Sequence, residues 1–151
     1  MMLLCLLGML GATSADDTYT LTLVFQRMHC DECKREAEAT VKRLPGFVGV
    51  TFAATSAVVL MADKSPVPAV AGLPKDMGYQ GTHLAIHGTV SFSGDKATLV
   101  AKGSGTTLSL SGDKLAELKK KIGGKNRFQI TGTLAGKSLA LESFQVAEWK
   151  D

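Results

Sequence analysis

Between Tyr19 and Leu44 the apolar residues change their period, and that change restricts the chain to folds in which a half-buried strand feeds directly into a helix. The run Tyr19-Thr20-Leu21-Thr22-Leu23-Val24-Phe25 alternates in the manner of a strand with one face covered. After Cys33 the spacing becomes helical: Ala37, Val41 and Leu44 fall on one face, and Pro45-Gly46 stops the helix. The junction is Arg27-Met28-His29-Cys30-Asp31-Glu32-Cys33, which sets two thiols three positions apart. Thiols at a helix start feel unpaired N–H groups and the positive end of the dipole, which favour the thiolate, the form that binds metals. A two-coordinate soft ion could be held by Cys30 and Cys33 alone.

Met1 to Ala15 contains no charged side chain, and Met2 to Leu10 is an apolar run too short to span a bilayer as a helix. It reads as the core of a signal peptide over residues 1–15, with Thr13 and Ala15 suiting cleavage before Asp16. Cys5 stands near the start of the apolar run rather than after it, which argues against a lipid-modified cysteine. The expected location is therefore outside the cytoplasm, in a bacterial periplasm or cell envelope, with no stable membrane insertion once the leader is removed. The mature chain keeps only Cys30 and Cys33, whose chemistry is with each other, with a metal or with another molecule. In an oxidising compartment a local disulfide is the plain alternative. A thioredoxin-like redox site lacks the Trp that usually precedes such a pair, since His29 stands there. The net charge of +3 is too small to imply a partner by itself.

Phe47–Phe52 and Ala57–Met61 read as a hairpin, and Pro66, Val67, Val70 and Leu73 as a short helix ended by Pro74. Gly78-Tyr79 and Gly81 lead into a strand over Thr82–Ile86. The resulting order, strand, helix, two strands, helix, strand, predicts an α+β, ferredoxin-like βαββαβ domain with two helices on one face of an antiparallel sheet.

Strand, Met-x-Cys-x-x-Cys, helix, Leu44-Pro45-Gly46-Phe47-Val48, hairpin and Asp76-Met77-Gly78-Tyr79 together resemble the heavy-metal-associated domain of copper chaperones, metal-pumping ATPases and the periplasmic mercury-binding protein. The resemblance covers about residues 18–87. It implies that Cys30 and Cys33 are the metal ligands, that Met28 packs under the loop, and that Tyr79 closes over the site. Arg27 stands where the family has Gly and His29 where it has Thr, so an interaction adaptor with a degenerate metal domain stays open beside the metal reading. His29 reads as an exposed loop residue available as a secondary ligand. His83 and His87, four apart in a strand, share a face but hold their side chains too far apart to chelate. Lys34, Arg35, Glu36, Glu38, Lys42 and Arg43 read as the solvated face of the first helix.

From His87 onward the texture is that of short alternating strands, Thr89–Phe92, Ala97–Ala101 and Thr106–Leu110. They are followed by a helix over Asp113–Ile122 and two strands over Arg127–Leu134 and Ser138–Val146. That order predicts a five-stranded OB-like β-barrel over residues 88–148, and Gln129-Ile130-Thr131-Gly132-Thr133-Leu134 is similar to the fourth strand of exported bacterial OB-like domains. Such barrels often bind oligonucleotides. Residues 88–151 hold ten Lys and Arg against six Asp and Glu. The only aromatics available for base stacking are Phe92, Phe128, Phe144 and Trp149, and the first three look internal, so no nucleic acid is expected. No Ser/His/Asp, paired-carboxylate or phosphate-loop pattern supports an enzyme. Because His87-Gly88-Thr89 is too short for a tether, the last strand of the first half should run almost straight into the barrel.

The resulting expectation is an exported, non-enzymatic soft-metal carrier. Cu(I) is favoured because two thiolates at low coordination suit a soft monovalent ion, with Hg(II), Zn(II) and Cd(II) as alternatives. The expected partner is a metal-donor or metal-acceptor protein. The rival classes are a disulfide or redox module and an adaptor.

Overall fold

The computed structural model describes residues 17–26, 31–68 and 78–149. The elements in chain order are β1 (Thr18–Phe25), α1 (Asp31–Lys42), β2 (Phe47–Phe52), β3 (Ser56–Ala62), β4 (Tyr79–Ser93), β5 (Lys96–Ala101), β6 (Thr107–Ser111), α2 (Leu115–Lys121), β7 (Arg127–Ala135) and β8 (Ser138–Val146). All eight strands belong to one sheet, in the order β2-β3-β1-β4-β5-β6-β8-β7, and a β4–β7 pairing closes its last five strands into a barrel. Every pairing is antiparallel except that of β6 with β8. No helix among the described residues is long and apolar enough to cross a membrane.

β4 is the strand the two halves share. Its residues Thr82–Ala85 pair with both β1 and β7, while Gly88 and Thr89 pair with both β5 and β7. A strand has two edges, so β1 and β5 must follow one another along one edge of β4 while β7 occupies the other. Gly88 sits at the changeover, where a Cβ would stand 2.6 Å from Val100 O; only a residue without one lets β5 approach there. The burial pattern of β4 alternates through the changeover, with Thr82, Leu84, Ile86, Gly88 and Val90 all inward. Tyr19, Leu21, Leu23 and Phe25 from β1 join Leu99, Leu108, Phe128 and Ile130 from the barrel strands in a single cluster of buried residues.

This architecture corrects the expected α+β fold. The structure does not show a ferredoxin-like βαββαβ domain; it shows a mostly β chain with a closed five-stranded barrel and further strands extending from it. Two physical causes stand out. Pro66 and Pro68 bias Ser65 and Val67 away from the helical region, and Pro66–Pro68 carries no regular secondary structure. Its polar groups are tied elsewhere: Tyr19 Oη donates to Pro66 O at 3.0 Å, and Thr106 Oγ1 accepts from Val67 N at 3.3 Å. The rest of the expected second helix, Ala69–Pro74, lies outside the described residues. The second cause is β4 itself, which runs on through His87-Gly88-Thr89, as its short link predicts, and pairs with strands of both halves.

α1 packs its Cys33, Ala37 and Val41 inward at helical spacing, with Leu44 just beyond its end, and leaves Asp31, Glu32, Arg35 and Glu36 exposed. Its outer surface carries the Glu38–Lys42 pair at 2.8 Å. In the barrel, Phe128 is fully buried, Phe92 and Phe144 are half-buried, and Leu118 anchors α2.

Candidate functional site

The β1 end of the loop between β1 and α1 is held by two backbone hydrogen bonds. Phe25 N donates to Thr55 O in the β2–β3 turn at 2.8 Å, and Gln26 N donates to Gly78 O at 2.9 Å. Gly78 has φ +61, and a Cβ there would lie 2.7 Å from Gln26 Cβ, so glycine is needed both for the turn and for the close approach. On the far side the chain re-enters described structure at Asp31, the first residue of α1. Met28, His29 and Cys30 lie outside the described residues, as do Arg27 and the leader Met1–Ala15.

Cys33 is the third residue of α1, among the positions whose backbone N–H groups have no partner within the helix. It is half-buried and packs against the core. Its sulfur is in a disulfide; the other two cysteines of the chain, Cys5 and Cys30, lie outside the described residues.

Tyr79 lies at the same end of the sheet. It is the register partner of Phe25, next to a bulge at Val24/Phe25, and the two rings are 5.8 Å apart and tilted by 54°. Its hydroxyl bonds Thr82 Oγ1, and 37% of the side chain remains exposed. Tyr79 is thus placed at the end of β1. The two histidines of β4 have separate partners. His83 Nδ1 pairs with Glu142 Oε1 at 3.1 Å, and Thr133 Oγ1 donates to the same oxygen at 2.6 Å. His87 meets the Trp149 ring edge-on at 6.0 Å. No group of three or more His, Cys, Asp or Glu side chains that could hold a metal occurs among the described residues.

A second polar centre, which sequence reasoning missed, lies where β3 meets the β5–β6 turn. Lys102 Nζ and Asp63 Oδ2 are 3.1 Å apart, with side-chain exposures of 15% and 8%. Asp63 Oδ1 is buried without a hydrogen-bond partner. Nearby, burial raises the pKa of the Tyr19 hydroxyl above 10.0; the Asp63 charge adds to this and the Ser65 hydrogen bond opposes it. Asp63 and Lys102 are 39 positions apart, and the only hint in the sequence is a carboxylate directly after the apolar run of β3.

Trp149 is tied to Arg127, the first residue of β7. Arg127 Nη1 donates to its carbonyl at 2.6 Å, and the Arg127 guanidinium lies 4.9 Å from its ring centre. No family model matches the chain, and searches of curated proteins and of solved structures find no match to it.

Proposed function

We propose that the chain is an exported soft-metal carrier that holds Cu(I) between the thiolates of Cys30 and Cys33. The observation that carries this reading is the place of Cys33: in the first turn of a helix, after a loop whose β1 end is tied to the β2–β3 turn and to Gly78. An anchored end reduces the ordering cost of presenting two sulfurs to one ion. Two thiolates at low coordination suit Cu(I) better than Zn(II), which usually takes four ligands. Tyr79, on the neighbouring strand end, would shield the loop from one side, and His29 would serve as a secondary ligand. A second thiol protein is the fitting donor or acceptor, since ligands on a loop can be exchanged through a shared intermediate. The barrel has a helix between its third and fourth strands and a parallel pairing of its third and fifth, which is compatible with an OB-like domain.

The disulfide at Cys33 favours a second reading, in which the Cys pair is a structural or redox bridge. Under the carrier reading it is the oxidised form, and a dithiol reductant opens it: two thiols form and the reductant becomes a disulfide. Alkylation of the reduced mature chain, mapped by mass spectrometry with and without one equivalent of Cu(I), separates the two. Protection of Cys30 and Cys33 together supports the carrier, and full labelling of both in the presence of Cu(I) supports the bridge.

A further inference from the structure

A cleft of about 460 Å³ opens on the barrel between the starts of β5 and α2 and the end of β6. Thr98 and Ser109 are cross-strand partners on its wall. Lys96 and Ser111 lie two residues along their strands from these, hence on the same outward face. Directly opposed side chains on paired strands start about 5 Å apart, so the four polar tips form a small grid. Asp95, in the β4–β5 turn, closes one end, and half-buried Leu115 supplies an apolar wall. None of the five polar side chains has a protein hydrogen-bond or ion-pair partner among the described residues.

We propose that this cleft is a binding site for a neutral, polyhydroxylated ligand, a short saccharide. Charge decides against the alternatives: Asp95 and Lys96 are adjacent and cancel, so an anion meets a carboxylate and a cation meets an ammonium. Three protein hydroxyls that both donate and accept match ligand hydroxyls that do the same. The carboxylate accepts and the ammonium donates to further ones, while Leu115 faces the C–H side of a sugar ring. Stacked nucleobases would need an open aromatic platform. The Phe92 ring lies in an adjoining hollow with Lys119 Nζ 5.9 Å above it. The cleft has the size of a small-molecule site with a few convergent polar groups. It is independent of the metal loop, and its failure would leave that reading untouched.

The test is an NMR titration of the mature chain with maltotriose, with chitotriose, with inorganic phosphate and with an oligothymidylate. A saccharide should move amide signals confined to residues 95–98 and 109–112, with a Kd of about 1 mM or tighter. The Thr98→Val and Ser109→Ala variants should each weaken binding by about tenfold, the factor given by one lost hydrogen bond. Their spectra elsewhere report that the barrel remains folded. Absence of shifts with both trisaccharides, or larger shifts at these residues with phosphate or the oligonucleotide, overturns the proposal.

Discussion

Replacing Lys102 by Met should be among the most damaging single changes in this protein. Lys102 is the counter-charge of Asp63, a carboxylate whose side chain is 92% out of solvent by its 8% exposure and whose Oδ1 already lacks a hydrogen bond. Removing one partner of a buried pair leaves the other charge uncompensated, a loss of about 3 kcal/mol or somewhat more. The Lys102 ammonium also stands 6.0 Å from the Trp149 ring, so a cation–π contribution of about 0.5 kcal/mol goes with it. For a chain of this size about 3 kcal/mol corresponds to a fall in Tm of about 6–12 °C. Asp63→Asn combined with Lys102→Met should recover most of the loss, because no buried charge then remains. Urea unfolding of the wild type, both single variants and the double variant forms the cycle. A cost below about 1 kcal/mol for Lys102→Met, the range of an exposed pair, would refute the argument.

Two further outcomes follow from other parts of the fold. Gly132→Ala would drive a Cβ into the Ala140 carbonyl where β7 meets β8; denaturant unfolding should show a loss of about 2 kcal/mol by overpacking, against about 1 kcal/mol for Gly136→Ala, where the space is open and only a φ of +59 is strained. Tyr19 has a folded pKa raised above 10.0, so its contribution to stability is complete below pH 10 and is lost as pH climbs through the folded value. Tyr19→Phe should therefore remove part of the alkaline fall in Tm seen in the wild type, and an unchanged fall would contradict that assignment.

The local elements were legible because each rests on nearby residues. The alternation in Tyr19–Phe25 marks β1, the spacing of Ala37 and Val41 marks the inner face of α1, and the strands of the barrel follow the same rule. The run through His87-Gly88-Thr89 was legible too, because three residues are too few for a tether, and β4 is continuous across it. The reason for Gly88 was not: it admits the backbone of β5 against β4. Pro66 and Pro68 suit a helix start by φ, but the residues before them are pushed out of the helical region, and Tyr19 and Thr106 take up the backbone groups. The β4–β7 closure and the parallel β6–β8 pairing join residues far apart in the chain, and periodicity carries no signal for them. Of the expected site, Cys33 and Tyr79 could be placed from the strand-to-helix switch and from Gly78-Tyr79. Thr55, Gln26 and the Asp63–Lys102 pair are fixed by tertiary contact and left no pattern in the sequence.

The central claim is that the Cys30 and Cys33 thiolates form a soft-metal site, and anaerobic titration of the reduced mature chain with Cu(I) against a competing chromophoric chelator tests it most directly. The account predicts one Cu(I) per chain, with tight binding lost in both Cys30→Ser and Cys33→Ser while the far-ultraviolet circular dichroism of each variant stays that of the folded protein. Stoichiometric Cu(I) retained by the Cys30→Ser/Cys33→Ser double variant would contradict it.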